Sequence, residues 1–283
     1  MATLIIHGGA GGVRPRAERD HIAQNLLTIA RNTWQRIHAG TSALDAAIYA
    51  TVQLEDDPLF NAGLGSKLQC DGKARLSAAL MDGAMERFSG VINVEGVVNP
   101  ILLAAQLQGE RDRVLAGTGA RDRAIELGLA MGDARTERSI RAWRERRDGS
   151  TGTVGAVVLD HEQRIAAATS TGGRGFERVG RVSDSATVAG NFASPNAGVS
   201  CTGIGEDIID GALATRLVAH VESGRALAEA ADDLIRRMRQ RTWSAGLIAL
   251  DQDGSWIART TTDIMYWVAI DASGEHRFAD PDD

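Results

Sequence analysis

From Gly149 to Gly173 the chain reads GSTGTVGAVVLDHEQRIAAATSTGG. Two strongly apolar runs, TVGAVVL at 153–159 and RIAAATST at 164–171, flank the polar turn DHEQ. Short apolar runs joined by a polar turn predict a pair of strands. A first strand is expected at 3–7, running into HGGAGG, which reads as a tight turn leading to a helix. Ile22, Leu26, Ile29, Ala30, Trp34 and Ile37 fall near one face of a helix over 17–38, and Gly40 stops it. Ser42, with Asp45 three residues on, is close to a capping box for a second helix that Asp57-Pro58 ends. Residues 59–100 break into short apolar runs separated by DG and NxxG turns, the pattern of antiparallel strands. Further helices are predicted near 100–108, 119–130, 134–146, 205–222 and 225–240, and further strands at 198–203, 245–250, 255–260 and 265–270. The charged stretch 134–152 reads as a solvated helix leading into a loop. Strands and helices come in blocks, not in regular βαβ alternation. The expectation is a layered α/β or α+β fold, with residues 1–283 as a single domain.

Composition narrows the choice of chemistry. Aromatic residues are 4% and glycines number 32, so the core must be built from Ala, Val, Ile and Leu. With 31 Lys and Arg against 37 Asp and Glu, the net charge is −6. No overall basic field exists, which counts against nucleic acid as the main partner. The longest apolar runs, such as MYWVAI at 265–270, are far short of the roughly 20 residues of a spanning helix, so no membrane partner is expected. The opening MATLIIHGGAGG has no basic segment ahead of its apolar stretch and does not read as a signal peptide. Cys70 and Cys201 match no zinc or redox spacing, so a reduced cytoplasmic setting is expected.

Most catalytic motifs are absent. HGGAGG is followed by no Gly-Lys-Ser/Thr, and Arg14 stands where dinucleotide spacing needs glycine. His7 reads as structural. His21, His38, His161, His220 and His276 are scattered and no HExxH occurs, so a catalytic zinc site is not expected. A GxSxG elbow is also missing. What remains is hydroxyls beside glycines at three strand ends. Thr153 follows Gly152, Thr169-Ser170-Thr171 precedes Gly172, and Ser200-Cys201-Thr202 precedes Gly203. A threonine at one strand end usually reflects β-propensity. Three such ends, with glycines that let a substrate approach the backbone, mark a candidate site.

Read in order, NAGLGS at 61–66, MDG at 81–83, GTVGAV at 152–157, AAATSTGG at 166–173, GRVSDS at 180–185 and SCTGIGE at 200–206 resemble the plant-type asparaginase / isoaspartyl peptidase family of N-terminal-nucleophile hydrolases. The blocks cover most of the chain, and their order is more specific than any one of them. The resemblance implies a four-layer αββα sandwich. It implies self-cleavage between Gly152 and Thr153, giving an α subunit of residues 1–152 and a β subunit of residues 153–283. Thr153 matches the nucleophile, Thr171 its support, and Thr202 with the Gly203 amide the oxyanion hole. Arg181 and Asp184 match the clamp for the α-carboxylate and α-amine of an aspartyl group. Gly203 and Gly205 are further substrate-binding positions, and Asn61 matches the asparagine near the nucleophile. The backbone carbonyls of Leu54, Glu55, Asp57, Phe60, Ala62 and Leu64 correspond to a structural sodium loop. No cofactor is implied for catalysis. The expected assembly is a homodimer of processed α/β heterodimers.

The chemistry suits these residue types. A threonine hydroxyl is a poor nucleophile and needs a base. Once Thr153 is N-terminal its own α-amine, with a pKa of about 7.7–8.0, can serve. Before cleavage that nitrogen is an amide, so processing switches activity on. Gly152 offers no side chain to block attack of the Thr153 hydroxyl on its carbonyl. The substrates implied are β-aspartyl dipeptides and L-asparagine. A same-fold amidase acting on a glycosylated asparagine, or an unprocessed non-catalytic binding homologue, are the alternatives. The sequence departs from the family at RGFERV (174–179), TTTDIM (260–265) and Ile204. Glu177 and Asp263, counted among the substrate-binding positions, add negative charge that would favour a basic second residue, as in β-Asp-Arg or β-Asp-Lys.

Overall fold

The computed structural model describes residues 2–146, 152–278 and 280. Residues 147–151, the end of the charged stretch, lie outside the described residues. The first part of the chain forms β1 (Thr3–Gly11), α1 (Arg16–His38), α2 (Ala43–Asp56), β2 (Leu76–Asp82), β3 (Arg87–Val94), α3 (Pro100–Leu107), β4 (Val114–Ala116), α4 (Gly117–Glu126) and α5 (Glu137–Arg144). The second part forms β5 (Val154–Leu159), β6 (Ile165–Thr171), β7 (Asn191–Ala193), β8 (Ala197–Gly203), α6 (Gly205–Gly211), α7 (Leu213–Glu222), α8 (Leu227–Gln240), β9 (Ala245–Asp251), β10 (Trp256–Thr260), β11 (Ile264–Asp271) and β12 (Gly274–Arg277).

Two sheets stack face to face. The larger has the order β12-β11-β1-β5-β6-β2-β3-β4 and the smaller β10-β9-β8-β7. Helices α1 to α4 cover the outer face of the larger sheet, and α7 and α8 that of the smaller. The result is the four-layer αββα sandwich. β5 and β6 lie at the centre, buried along their whole length. Strand alternation explains why both are apolar throughout. Val154, Ala156 and Val158 face the helices. Val157 and Leu159 face the second sheet. Leu and Val side chains buried this fully contribute roughly 1.5–3 kcal/mol each.

The same alternation turns Gly155 toward the second sheet. A Cβ there would lie 2.0 Å from Ser200 Oγ, 2.7 Å from His7 Nε2 and 2.8 Å from the Ala168 carbonyl oxygen. The last contact is backbone and cannot swing away. Gly155→Ala is therefore expected to cost roughly 3 kcal/mol or more, a large overpacking penalty. Thermal denaturation checks it, and a melting temperature within about 2 °C of the parent would contradict the packing described.

Most predicted elements are present, and the differences have physical causes. HGGAGG is not a turn: β1 continues to Gly11 across a bulge between His7 and Gly9. Gly9 sits at φ +111, and a Cβ on it would lie 2.9 Å from Gly152 Cα. The glycines therefore let the chain ahead of Thr153 pass close to β1. The expected helix 205–222 is two helices, broken at Ala212 with φ +46. The Ala214 amide there donates to the Ala189 carbonyl outside the helix. β4, β7 and β12 are too short, or too exposed, to carry a periodic signal. Ser42 does cap α2, accepting from the Asp45 amide.

Candidate active site

Hairpin arithmetic brings the first two hydroxyls together. Val154 pairs with Ser170, so Thr153, one residue earlier, stands opposite Thr171. Thr153 Oγ1 donates to Thr171 Oγ1 at 3.1 Å, and Thr171 Oγ1 also accepts from the Gly173 amide at 3.1 Å. Ser170, on the opposite face, donates instead to Glu55 of α2. The third hydroxyl comes from the second sheet. Thr202, near the end of β8, accepts from the Thr153 amide at 3.4 Å and from the Ala10 amide at 3.1 Å. Two N–H groups occupy its acceptor capacity, which leaves its hydrogen to donate.

Asn61 completes the surroundings of the Gly152–Thr153 bond. Its Nδ2 donates to the Gly152 carbonyl at 2.5 Å and to the Gly173 carbonyl at 2.7 Å, while Oδ1 accepts from the Lys67 amide. Thr153 is 5% exposed. It opens on a cleft also lined by Gly152, Thr171, Arg181, Asp184 and Gly205. In the uncut chain that cleft has a free volume of only about 10 Å³, roughly one water.

The charged pair lies at one end of the cleft. Arg181 Nε and Nη2 pair with both oxygens of Glu206 at 3.0 and 2.9 Å. That hydrogen bonding holds the Glu206 carboxyl below its ordinary value. Asp184 is buried, and burial pushes its carboxyl up to about 6, against the pull of Ser183 and Arg181. Its Oδ1 accepts from Ser183 Oγ at 3.1 Å, and Oδ2 has no hydrogen-bond partner among the described residues. An under-satisfied carboxylate beside a guanidinium can take both ends of an amino acid. At Gly205 a Cβ would lie 2.5 Å from Arg181 Nη2 and 2.7 Å from Asp184 Oδ1. Gly205→Ala is expected to push these groups apart and raise KM by roughly tenfold or more, the value of one charge-assisted hydrogen bond. Steady-state kinetics tests this, and an unchanged KM would contradict it. Gly203, at φ +135, abuts Ala245 Cα and the Ser244 carbonyl so closely that a Cβ would lie 2.5 Å from each.

Two expected positions are not in the cleft. Glu177 is buried beside Gly173, whose Cβ would lie 2.0 Å from Glu177 Oε1. Asp263 is exposed, with Gly12 as a neighbour. Neither lines the cavity at Thr153, so neither is set to meet a leaving group there. Sequence reasoning missed Ser183 and Glu206, and read His7 as structural without its partners. Ser183 and Glu206 support the clamp, although both stand inside the quoted blocks. His7, buried, shares a network with Ser200 (2.9 Å) and, through it, Thr169 (2.7 Å). Burial drives the His7 imidazole down to about 3, so it is neutral and structural.

The loop after α2 turns tightly on glycines. A Cβ on Gly63 would meet the Glu55 carbonyl, and one on Gly65 would meet the carbonyls of Phe60 and Pro58. A turn so dense in neutral oxygens has the donor chemistry of a hard cation site. No cluster of three or more His, Cys, Asp or Glu side chains suited to a metal occurs among the described residues.

An αββα sandwich with a threonine at the head of a central strand has the architecture of the N-terminal-nucleophile hydrolases. The chain belongs to the asparaginase family, whose model matches residues 1–151 and 144–279. It is 44% identical to an isoaspartyl peptidase/L-asparaginase of Synechocystis over 270 residues, 89% of this chain and 82% of that one. The isoaspartyl peptidase/L-asparaginase of Homo sapiens is 35% identical over 99% of this chain and 96% of its own. A plant-type L-asparaginase of Pyrococcus furiosus is 35% identical over 94% and 95%.

Proposed function

We propose that this chain is a self-processing threonine amidohydrolase. It cleaves the side-chain amide of β-aspartyl peptides and of L-asparagine. One observation carries the reading: Thr153 meets Thr171 and Thr202 in a cleft that also holds Arg181 and Asp184. In the precursor, the Thr153 hydroxyl attacks the Gly152 carbonyl, which Asn61 Nδ2 polarises at 2.5 Å. The acyl group passes from nitrogen to oxygen, and water hydrolyses the ester. Two subunits result, residues 1–152 and 153–283, within one domain. Departure of the Gly152 end enlarges the one-water cleft and frees the Thr153 amine. That amine then takes the hydroxyl proton. Arg181 holds the substrate α-carboxylate and Asp184 its α-ammonium. The attacked carbonyl oxygen is met by the Thr202 hydroxyl and the Gly203 amide. The amine leaves with a proton from the Thr153 ammonium, and water releases aspartate.

The carbonyls of Leu54, Glu55, Asp57, Phe60, Ala62 and Leu64 would hold a sodium ion in the loop that presents Asn61. Its contribution would be structural. Catalysis itself needs no cofactor in this scheme. Two free cysteines agree with a reducing, cytoplasmic setting. No helix among the described residues is long and apolar enough to cross a membrane. Exposed Val182, Val188 and Ile209, in the segments around the clamp, would serve a homodimer of processed heterodimers.

Asp184 must be ionised to hold an ammonium, and the Thr153 amine must be neutral to act as base. Activity is therefore expected to rise with pH, through about 6 for Asp184 and through about 7.7–8.0 for the amine. Stability moves the other way at Asp184. Its native carboxyl binds a proton more tightly than the unfolded one. The cost of the buried charge is complete above about pH 6 and fades as pH falls toward the ordinary Asp range, roughly 3 kcal/mol at most. Asp184→Asn should thus melt higher at pH 8, gain nothing at pH 4, and bind substrate poorly. A lower melting temperature at pH 8 would contradict the assignment.

The direct test combines a denaturing gel with an aspartate-release assay on β-Asp-Leu and asparagine. Two fragments and released aspartate are expected. A single uncut chain that releases none would overturn the proposal.

A further inference from the structure

We propose that the leaving-group side of this site selects β-aspartyl peptides whose second residue is acidic, an inference that rests on the amidohydrolase reading. A second cavity, of about 560 Å³, neighbours the nucleophile cleft, and Arg174 lines both. That volume is in the range of small-molecule sites. Five cations line it: Arg14, Lys67, Arg138, Arg141 and Arg174. Glu18 is the one carboxylate among the described residues of its walls. In a chain of net charge −6 this is a local reversal of sign.

Among the described residues, carboxylates pair with only part of this positive charge. Glu18 pairs with Arg14 at 2.5 Å and reaches Arg138 only at 4.0 Å. Lys67 Nζ donates to the Arg174 carbonyl at 3.2 Å, among its other contacts. Arg141 and Arg174 have no carboxylate within ion-pair distance among the described residues. Partial burial and the neighbouring Arg14 hold the Arg138 guanidinium below its ordinary value. A crowded set of cations in a concave, partly desolvated space is relieved by an anion.

The site also has a fixed frame. Arg138 and Arg141, three apart, share one side of α5. A Thr136–Ser139 capping box starts that helix. The Trp143 indole donates to the Gln69 carbonyl at 2.9 Å, and Ile140 and Trp143 pack on the main core. None of these anchors involves the Gly152–Thr153 bond, so cleavage leaves them in place. With the aspartyl group held at Arg181 and Asp184 and its carbonyl at Thr153, the second residue is directed past Gly173 to Arg174. Every β-aspartyl dipeptide brings one carboxylate there. An acidic second residue brings two, and a basic one returns the net charge to zero. Glu177 and Asp263, which motivated a basic preference, line neither cavity.

The test is kcat/KM of the processed protein on β-Asp-Glu, β-Asp-Leu and β-Asp-Arg, at low salt and at about 0.3 M salt, where the Debye length shortens. The expected order is acidic, neutral, basic, with about tenfold between the extremes at low salt, the value of one or two exposed charge pairs. The spread should shrink at high salt. Arg138→Gln with Arg141→Gln should lower the β-Asp-Glu to β-Asp-Leu ratio by roughly threefold, mainly through KM. Equal rates, a preference for β-Asp-Arg, or a ratio unmoved by the double variant would overturn the inference while leaving the amidohydrolase standing. Cleavage of none of the three would sink the underlying reading itself.

Discussion

Thr153→Ala is expected to remain one chain of 30.0 kDa and to lose hydrolysis by a factor on the order of 10⁴ or more, as when a covalent nucleophile is removed. Both losses follow from one oxygen. In the proposed scheme the Thr153 hydroxyl attacks the Gly152 carbonyl and, after scission, attacks substrate. Alanine fits the same position, since among the described residues the Thr153 side chain hydrogen-bonds only to Thr171. The variant should fold, which circular dichroism would confirm. Thr153→Ser keeps the oxygen but drops the methyl that restricts its rotation. It should still process, and more slowly. Intact mass spectrometry gives the decisive reading. Scission at 152/153 in the alanine variant would remove Thr153 from the mechanism.

Thr202→Val should cut kcat by about 10²–10³ with little change in KM, the loss typical of one oxyanion donor. Valine nearly matches the shape of threonine, so packing of β8 is preserved. What goes is a hydroxyl that accepts from the Thr153 and Ala10 nitrogens and has its hydrogen left for the developing oxyanion. The substrate ground state, which the proposed scheme holds at its other end by Arg181 and Asp184, should be barely affected. The two buried donors lose their acceptor, so stability should also fall by roughly 1–3 kcal/mol. A loss appearing in KM, with kcat intact, would instead place Thr202 in ground-state binding.

Part of this site could be read along the chain. The runs 153–159 and 164–171 around a short turn already imply a hairpin, and its observed register, Leu159 with Ile165, sets Thr153 opposite Thr171. Register in a tight hairpin is a local property, and period two puts both side chains on one face. The glycines beside each hydroxyl, the Ser42 cap and the long helix α1 are equally local. The ordered blocks extended the reading to the clamp and to Asn61, because a family pattern carries tertiary information that periodicity lacks. Reading the glycines after His7 as a turn failed because a bulge in β1, set by the passage of Gly152, is a contact between distant segments.

The chain by itself determined most of the strands and helices, and that hydroxyls beside glycines would end three of the strands. Those outcomes depend on side-chain period and on turns of a few residues. Only the packed structure decided that Thr202 from the second sheet would close over Thr153, and that Gly205 would bring Arg181 and Asp184 together. It also decided that cations from positions 14, 67, 138, 141 and 174 would gather on one cavity while Glu177 and Asp263 turned elsewhere. Charge in a site depends on distance through space, and residues more than a hundred positions apart become neighbours only when the layers stack.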